Sequence, residues 1–565
     1  NDDAGRGYAK AALKALKPTN YNTGIMQLNN WWPEIPEKGD VSDYIAAKGE
    51  EAVAKLKETL DVVTRNRKPA PAVKAVPVAQ CSTATVTVAA TSAPLMLKTC
   101  GDYRNVIKKL DPYSNPKYST TDNGSGRLFS DIVKGQARYV ASRKSWFIYD
   151  GTRWVPDEGN MATMEMCKTI GDALTHYAFE IKDEKERREY LRYTMRWMTR
   201  NYRKTILDDA ASVYNIGMGE FDADVNLLNC KNGTLDLKTM KFRSHNPDDK
   251  ITKIADVVYD PNAKCPRFDQ FLTEVMSGDA DKSAFLQKAL GYALSGDSRF
   301  ECLFFLYGAT TRNGKSTLME SVLRVFGEYG LTVAPETIAA KQRNSSGPSE
   351  DLARLAGRRL ANISEPSRGM RLNAAQVKSM TGNDSINARF LHCNSFDFRP
   401  QFKLYINTNY LPSVDDMSLF SSNRVRVIPF DRHFEPQEQD PNLKHVFAEE
   451  DAKSAILNWL IAGWQLLQKE GLNSPAAVVE ATKEYSHDSN KIALFAEDNL
   501  EPDANREVRT SEIYAHYKVW CEVNGCLPEN STNFKKSLQA IGTVVRKRPR
   551  DGSEKTTLLL GYRLK

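Results

Sequence analysis

The segment CLFFLYGATTRNGKSTL (302–318) combines an apolar run, a glycine turn, a lysine and two hydroxyl side chains. Residues 302–307 predict a buried parallel strand, and the pattern over 318–326 predicts a helix. A strand, a phosphate loop and a helix in this order are how proteins hold a nucleoside triphosphate. Backbone N–H groups of such a loop and the helix N-terminus face the phosphates. Lys315 would then reach the β- and γ-phosphates, and the Ser316 hydroxyl would bind Mg²⁺.

The spacing of the loop glycines departs from the common pattern. Five residues separate Gly308 from Gly314 where the pattern has four, and Ala309 stands at the expected position of the first glycine. A one-residue bulge is therefore expected. A chance GKST in a surface turn is the alternative. The predicted ATP-binding residues are Gly308, Thr310, Asn313, Gly314, Lys315, Ser316 and Thr317.

Hydrolysis of a triphosphate also needs an acid that positions Mg²⁺ and water, and a polar group beside the γ-phosphate. RRLANISEPSRG (358–369) reads as a strand that ends at Glu365, which is predicted to polarise the attacking water and, with Ser316, to hold the metal. Many phosphate-loop enzymes have an aspartate where this chain has Ser364. A plain surface glutamate is the alternative.

The polar group is predicted at the end of a second strand, FKLYINTNYLP (402–412). Asn409 is favoured, with a turn-forming asparagine before Pro412 as the alternative. Positive charge for the transition state is offered by Arg424 and Arg426 in SSNRVRVIPF. These two arginines share a face of a strand, so periodicity does not separate them, and a solvated strand edge is also compatible.

Bulk properties limit the function classes. The 565 residues predict several domains, and the net charge of +7 is a mild basic bias compatible with nucleic acid. No window of about 18 apolar residues occurs, so no membrane span is expected. No signal peptide is recognised, and the scattered cysteines indicate reduced thiols and no zinc site.

Composition and periodicity divide the chain into successive domains. Residues 65–98 are rich in Ala, Pro, Val, Ser and Thr and are interpreted as a linker. Mixed α/β patterns follow, with hairpin turns at Asp150-Gly151 and Asn232-Gly233 and a long helical stretch over 160–207. The predicted domains are 1–64, the linker 65–100, a mixed α/β domain 101–299, a nucleotide-binding core 300–470 and a small domain 475–565.

Two basic features suggest polyanion contacts. Two helices and a basic strand pair near the C-terminus predict a winged helix, and its tip carries Arg546, Lys547, Arg548 and Arg550. Four cations in five residues repel one another, which makes DNA a natural partner. Arg188, Arg192, Arg196 and Arg200 recur every four residues and predict a stripe on one helix, either for DNA or a neighbouring subunit or as a solvated face.

Together, LYGATTRNGKST, LANISEP, VKSMTGNDSINARF, FKLYINTNYLP and RVRVIPF resemble the superfamily 3 helicases of the AAA+ class, in the branch of phage and plasmid primase-helicases. The resemblance covers roughly residues 125–435 and, more weakly, the C-terminal region. It implies an α/β fold with an AAA+ phosphate-loop core on a parallel sheet, preceded by a mixed α/β domain and followed by a winged-helix domain. The opening NDDAG resembles part of the metal motif of a Toprim-type primase domain, so 1–64 is expected to be the last part of such a domain, without intact primase activity.

The resemblance further implies a hexameric ring that hydrolyses ATP with Mg²⁺ between subunits and threads single-stranded DNA. Arg424 matches the finger that acts in a neighbouring subunit. The family's channel hairpin corresponds to 377–402, where the candidate DNA contacts are Lys378, Arg389 and His392, with Phe396 or Phe398 as stacking groups. Forked DNA as a partner and the cytoplasm of a bacterial host cell are also expected.

Two functions remain open from the sequence. One is a replicative DNA helicase, the motor part of a primase-helicase. The other is an origin-binding or initiator ATPase that uses the nucleotide as an assembly switch without processive unwinding. Both would use the same phosphate loop.

Overall fold

The computed structural model describes residues 98–340, 350–390, 394–549 and 554–565. The Toprim-like segment 1–64 and nearly all of the predicted linker lie outside these residues, as do His392 and Arg550.

The first described region surrounds a short antiparallel sheet with helices. The turn at Asp150 is confirmed, since its Oδ1 accepts hydrogen bonds from the backbone N–H groups of Thr152 and Arg153 at 2.7 and 2.8 Å. The strands pair in the order β1-β2-β3. The elements are α1 (Cys100–Leu110), α2 (Asp122–Ile132), β1 (Ala137–Val140), β2 (Ser145–Tyr149), β3 (Trp154–Pro156), α3 (Met161–Ala178), α4 (Glu184–Trp197) and α5 (Arg200–Ala210).

The long helical stretch predicted over 160–207 is in fact the three helices α3, α4 and α5. Asp183 caps α4, and α5 begins at Arg200, so the predicted stripe of four arginines on one helix is wrong. Arg188 pairs with Glu184 in the same helix, and Arg196 pairs with Asp122 of α2 at 3.1 Å. Two of the arginines therefore have acidic partners within the protein.

A second antiparallel sheet and two helices connect this region to the central parallel sheet. The predicted strand, Asn-Gly turn and strand over 225–245 are confirmed by the pairing of β4 with β5. The elements are β4 (Leu227–Cys230), β5 (Gly233–Asp236), β6 (Lys241–Arg243), α6 (Pro266–Val275) and α7 (Ala280–Tyr292).

The centre of the chain is a five-stranded parallel sheet with the strand order β13-β7-β12-β9-β8. A two-stranded antiparallel hairpin, β10 and β11, lies between β9 and β12 in the chain. The elements are β7 (Leu303–Tyr307), α8 (Lys315–Phe326), β8 (Gly330–Val333), α9 (Glu350–Ala353), β9 (Leu360–Ser364), α10 (Ala374–Thr381), β10 (Ile386–Ala388), β11 (Phe396–Phe398), β12 (Lys403–Thr408), α11 (Ser418–Ser421) and β13 (Val425–Pro429).

Both faces of this sheet are buried, which explains why its strands are continuous apolar runs. Phe304 and Tyr405 pack into one hydrophobic cluster, and Leu303, Phe305 and Ile406 pack into another on the opposite face. Because the strands are parallel, their carboxyl ends meet at one edge, where the loops that follow β7, β9 and β12 lie together.

Four further helices, and then a three-stranded sheet with two helices, complete the chain. The sheet order is β14-β16-β15, and β14 has a polar sequence with a proline and a register shift between Pro502 and Glu507, so it was not predicted. The elements are α12 (Leu443–Val446), α13 (Glu450–Glu470), α14 (Ala476–Ser489), α15 (Lys491–Asn499), β14 (Leu500–Arg509), α16 (Thr510–Val523), α17 (Ser531–Leu538), β15 (Val544–Lys547) and β16 (Thr556–Leu564).

Two searches of the described residues gave negative results. None of the helices there combines the length and the apolar character that a bilayer crossing requires. Within the same residues, histidine, cysteine and acidic side chains do not cluster in groups of three or more that could hold a metal ion.

Candidate functional site

The loop between β7 and α8 has the geometry of an anion-binding turn. Helix α8 begins at Lys315, three residues before the predicted start, and Gly314 is its N-cap with φ +82°. Arg312 also has a positive φ of 57°. The first N–H groups of α8 have no partner within the helix, so they are available to an anion in the loop.

Both loop glycines are required by close contacts. A Cβ on Gly308 would lie 2.4 Å from Asn313 Nδ2 and 2.6 Å from the carbonyl oxygen of Phe430. A Cβ on Gly314 would lie 2.5 Å from a methyl group of Val275 in α6. Any side chain at either position would therefore displace the loop or its neighbours.

Asn313 closes the loop across the five-residue spacing. Its side chain is buried, and Nδ2 donates to the carbonyl oxygen of Thr310 at 2.6 Å. The extra residue is accommodated inside this closed turn. Thr310 and Ser316 remain exposed, and Thr317 is partly exposed.

Lys315 and Asn409 meet at the carboxyl edge of the sheet although they are far apart in sequence. The Lys315 Nζ donates to Asn409 Oδ1 at 2.7 Å and lies 3.5 Å from the carbonyl oxygen of Gly308. Only 4% of Lys315 is exposed. Burial lowers the pKa of the Lys315 ammonium to about 8, while the negative charge of Glu365 acts in the opposite direction.

Glu365 follows β9 directly and is exposed at the same edge. It adopts φ +50°, which is unfavourable for a residue with a side chain, and its N–H donates to the carbonyl oxygen of Asn407 at 2.8 Å. This bond ties the turn after β9 to the end of β12. The structure thus brings Lys315, Glu365 and Asn409 together, as the sequence predicts.

Asn407 was not selected from the sequence. It is buried near the end of β12, and its Nδ2 lies 3.5 Å from Ser316 Oγ. A signal was available, because a polar residue inside an otherwise apolar strand needs a partner. Asn407 therefore orients the hydroxyl that was predicted to bind the metal.

The oxygen atoms at this edge fit a hard cation. Ser316 supplies an exposed hydroxyl, and Glu365 an exposed carboxylate. Mg²⁺ prefers oxygen ligands, retains several waters and binds through one or two protein groups together with substrate phosphates. The arrangement of few protein oxygens beside a phosphate loop fits that preference.

A cleft of about 460 Å³ opens beside the loop. It lies between α6, the start of α8 and the segment 434–444, and its walls mix aromatic, charged and aliphatic side chains. An Arg312–Gln439 hydrogen bond of 2.8 Å joins the loop to the far wall. The volume is in the range of small-molecule sites. The sequence did not predict these walls.

Arg424 lies at the opposite edge of the sheet from the phosphate loop. Its neighbour Val425 pairs with Leu303 at the start of β7, whereas the loop follows the end of that strand. The guanidinium binds Glu301 Oε2 at 2.6 Å and Thr381 Oγ1 at 2.9 Å. Arg424 therefore does not reach the phosphate loop of its own protomer. Arg426 bonds instead to Ser474 Oγ at 3.0 Å.

The predicted DNA contacts of the hairpin region differ in their surroundings. Lys378 is on α10 rather than on the hairpin, and its Nζ binds Asp416 at 2.6 Å. Arg389 follows β10 and is half-buried. Phe396 stacks on Phe390 at 5.8 Å and is half-buried against the core, so its ring is not an open stacking surface.

The basic strand pair at the C-terminus is more accessible. Arg546 and Arg548 are exposed and form no ion pair with any residue that the structure describes. Lys547 pairs with Glu507 of β14 at 2.8 Å. Two cations of this predicted contact are therefore available to an anionic partner.

Comparisons with known proteins identify three families that match parts of the chain. Residues 126–277 match the family described as D5 N terminal like, and residues 487–564 match the family described as Poxvirus D5 protein-like. Residues 306–424 match a family of unknown function, DUF5906.

The relatives that match are viral proteins named putative helicases. Putative helicase 022R of Frog virus 3 (isolate Goorha) is 29% identical over 290 residues, 48% of this chain and 30% of the relative. Putative helicase L207/L206 of Acanthamoeba polyphaga mimivirus is 26% identical, over 53% of this chain and 33% of the relative. Putative helicase 121R of Invertebrate iridescent virus 3 is 23% identical over 71% of this chain and 50% of the relative. The matches thus span between about a third and a half of these relatives, which give no support to a bacterial host.

A solved structure, the apo structure of the NrS-1 C terminal region (305-718), aligns with a TM-score of 0.40 and 11% identity. The alignment covers 77% of this chain and 98% of the solved chain.

The fold is mixed α/β, built on a five-stranded parallel sheet whose carboxyl edge gathers a lysine, two asparagines and a glutamate. Its family matches and relatives make the chain similar to D5-like proteins and to viral proteins named putative helicases. These similarities support the primase-helicase family predicted from the sequence motifs.

Proposed function

We propose that this chain is the motor part of a primase-helicase, which hydrolyses ATP with Mg²⁺ and moves along single-stranded DNA as a homo-oligomeric ring. The observation that carries the proposal is the 2.7 Å contact between Lys315 Nζ and Asn409 Oδ1 beside a closed phosphate loop. The core is then an AAA+ module of superfamily 3, and the C-terminal region is a winged helix.

Each residue at the carboxyl edge has a role in this reaction. The amide groups of the loop and Lys315 hold the β- and γ-phosphates, and the nucleoside occupies the cleft beside Gly314. Ser316, whose hydroxyl Asn407 orients, and Glu365 would hold Mg²⁺. When bound, the metal neutralises charge that develops on the phosphate oxygens.

Glu365 activates water for the attack on the γ-phosphorus. It accepts a proton from the water as the bond to the leaving ADP breaks, and Asn409 holds the water or the γ-phosphate in line. Because Lys315 is buried, its charge acts through a medium of low polarisability and stabilises the transition state more strongly than an exposed lysine would.

The active ring is proposed to depend on contact between subunits. Arg424 lies at the sheet edge away from its own loop, and it is 18% exposed in its side chain. A guanidinium in that position can serve a neighbouring subunit's phosphates if the Glu301 pair opens. This geometry supports an arginine finger that acts in trans and requires at least a dimer.

A forked-DNA unwinding assay tests the proposed function. We expect ATP-dependent strand separation by the wild-type chain and none by Lys315→Ala. Lys288→Ala is a matched control, since Lys288 is also buried but lies on α7, where it binds Glu470 at 3.4 Å. Binding of forked DNA without any strand separation in ATP would contradict the motor.

An initiator ATPase is the second candidate, and one observation favours it. Arg546 and Arg548 offer two available cations on a separate sheet, which suits duplex binding without threading. Duplex affinity that depends on sequence, together with absence of unwinding, would support this candidate over the motor.

A further inference from the structure

The segment 410–416 connects the phosphate edge to the rest of the molecule. It follows Asn409 and leads through α11 to Arg424. It also pairs with the segment that follows Glu365, because Leu372 N–H donates to the Ser413 oxygen at 2.9 Å and Ser413 N–H donates to the Met370 oxygen at 2.8 Å. Two backbone hydrogen bonds therefore join the chain segments that follow the two strand ends.

Asp415 joins this paired segment to the C-terminal region. Its Oδ1 lies 2.7 Å from Lys491 Nζ, and its Oδ2 accepts from Arg371 Nε at 3.0 Å. The neighbouring Asp416 binds Lys378 at 2.6 Å. One carboxylate thus holds a cation from the segment after β9 and a cation from α15.

Lys491 is well placed to pass on a displacement. It is the first residue of α15, and the buried residues Ile492 and Phe495 of that helix pack in the hydrophobic core of the C-terminal region. The Lys491 Nζ also lies 3.4 Å from the carbonyl oxygen of Leu527, between α16 and α17. A shift of Lys491 therefore acts on the core around α15, α16 and α17 and not only on one side chain.

A bound nucleotide would disturb the side-chain contact between Lys315 and Asn409. In the structure Asn409 Oδ1 accepts from Lys315 Nζ, the group that would contact the γ-phosphate. A bound phosphate would compete for this lysine and change the position of Asn409. The change would reach Asp415 through residues 410–414, where Ser413 is hydrogen-bonded to the segment 370–372 and the Pro412 oxygen accepts from the Tyr485 hydroxyl.

We propose that Asp415 is a positioning residue that couples the nucleotide state of the phosphate loop to DNA binding by the C-terminal region. The inference rests on the proposed function, since it requires that the loop bind a nucleotide. It assigns the half-buried Asp415–Lys491 pair a role in regulation, beyond the small contribution that an ion pair near the surface makes to stability.

The test measures the affinity of the purified chain for forked DNA, with and without a non-hydrolysable ATP analogue. The ratio of the two dissociation constants gives the coupling, and we expect about fivefold or more in the wild type. Lys491→Met removes the ion pair with Asp415 and the contact with the Leu527 oxygen, so the ratio should fall close to one while the affinity for the analogue stays within about twofold. Asp415→Asn should have the same effect, and Lys491→Arg should restore the ratio.

A matched control is Arg563→Met, which removes a 2.7 Å ion pair with Glu501 inside the C-terminal region. Arg563→Met should leave the ratio unchanged. If the loss of any ion pair in this region were enough to change the ratio, this variant would change it as well. Thermal unfolding of each variant verifies that it is folded. A wild-type ratio of one, or a ratio in Lys491→Met equal to that of the wild type, overturns this inference alone. A wild-type chain that binds no analogue overturns the proposed function, and this inference with it.

Discussion

The two edges of the central sheet carry cations in different environments. At the carboxyl edge, Lys315 has a single side-chain partner, Asn409, and lies beside a cleft. At the amino edge, Arg359 and Lys403 are almost completely buried and bind backbone carbonyl oxygens. The amino-edge cations are held by main-chain oxygens and are structural. Lys315 directly follows Gly314, which lines the cleft, and its one side-chain contact is to a neutral amide that a phosphate would replace.

The amino-edge cations hold the preceding region against the sheet. Arg359 Nη2 donates to the Leu227 oxygen at 2.7 Å, and its Nη1 donates to the Leu294 oxygen. Lys403 Nζ donates to the Gln401 oxygen at 3.1 Å and to the Ser295 oxygen, and it lies 4.4 Å from the Tyr292 ring centroid. Burial lowers the pKa of both groups. These residues therefore connect β4 and α7 to β9 and β12.

Arg424 is the amino-edge cation that departs from this rule, since it pairs with a partly exposed acid. Arg424→Ala should reduce ATP turnover by about a thousandfold or more, the range for an arginine finger. Mixing the variant with wild type should inhibit the wild type, because each finger serves a neighbour. Glu301→Gln keeps the guanidinium and should retain most activity. If the ATP turnover of the mixture equals the sum of the turnover of its two components, Arg424 does not act on a neighbouring subunit.

At the carboxyl edge, Glu365→Gln tests whether the carboxylate takes part in chemistry. Turnover should fall by about 10²–10⁴, the range for removal of a general base, while ATP affinity stays near that of the wild type. Steady-state turnover and equilibrium nucleotide binding measure the two effects separately. Unchanged turnover would show that a different acid activates the water.

Arg359→Met tests the structural half of the comparison. Two buried carbonyl oxygens would lose their donor, so we expect a loss of about 2–4 kcal/mol in stability. Thermal unfolding should show a lower midpoint, and the folded protein should still bind ATP. An unchanged midpoint with impaired ATP binding would show that Arg359 serves the ligand and not the stability of the fold.

The pKa of about 8 for Lys315 predicts a proton uptake when the nucleotide binds. Phosphate favours the charged ammonium, so near pH 8.5 binding should take up as much as about one proton per site. The effect should disappear near pH 6.5 and in Lys315→Met. Calorimetry in buffers of different ionisation enthalpy measures it, and equal heats in all buffers at pH 8.5 would contradict the lowered pKa.

The same pKa fixes the sign of a stability effect without ligand. The folded pKa lies below the unfolded value, so the unfolded chain binds more protons between about pH 8 and 10.5. The contribution of Lys315 therefore opposes folding most below pH 8, and this penalty decreases as the pH rises through that window. Lys315→Met should lack this contribution.

The carboxyl edge could be predicted from the sequence because its residues follow directly after recognisable strands. The apolar runs of β7, β9 and β12 identify the strands, and parallel pairing brings Lys315, Glu365 and Asn409 to the same edge. The roles of these residues stay predictions.

The rest depends on contacts that leave no local pattern. The cleft combines α6 with the segment 434–444, which are more than 150 residues apart. The polar strand β14 forms because β16 offers a partner, and Lys378 is neutralised by Asp416 from another loop. The predicted stripe of arginines over 188–200 was wrong because α4 ends at Trp197, before the fourth arginine.

Equilibrium binding of Mg²⁺ and ATP to the full chain tests most directly whether the carboxyl edge is the nucleotide site. Lys315→Ala should weaken binding by about a hundredfold or more, while Lys288→Ala, which also removes a buried lysine, should bind as the wild type does. Equal affinities in all three proteins, or absence of binding in the wild type, would contradict the account.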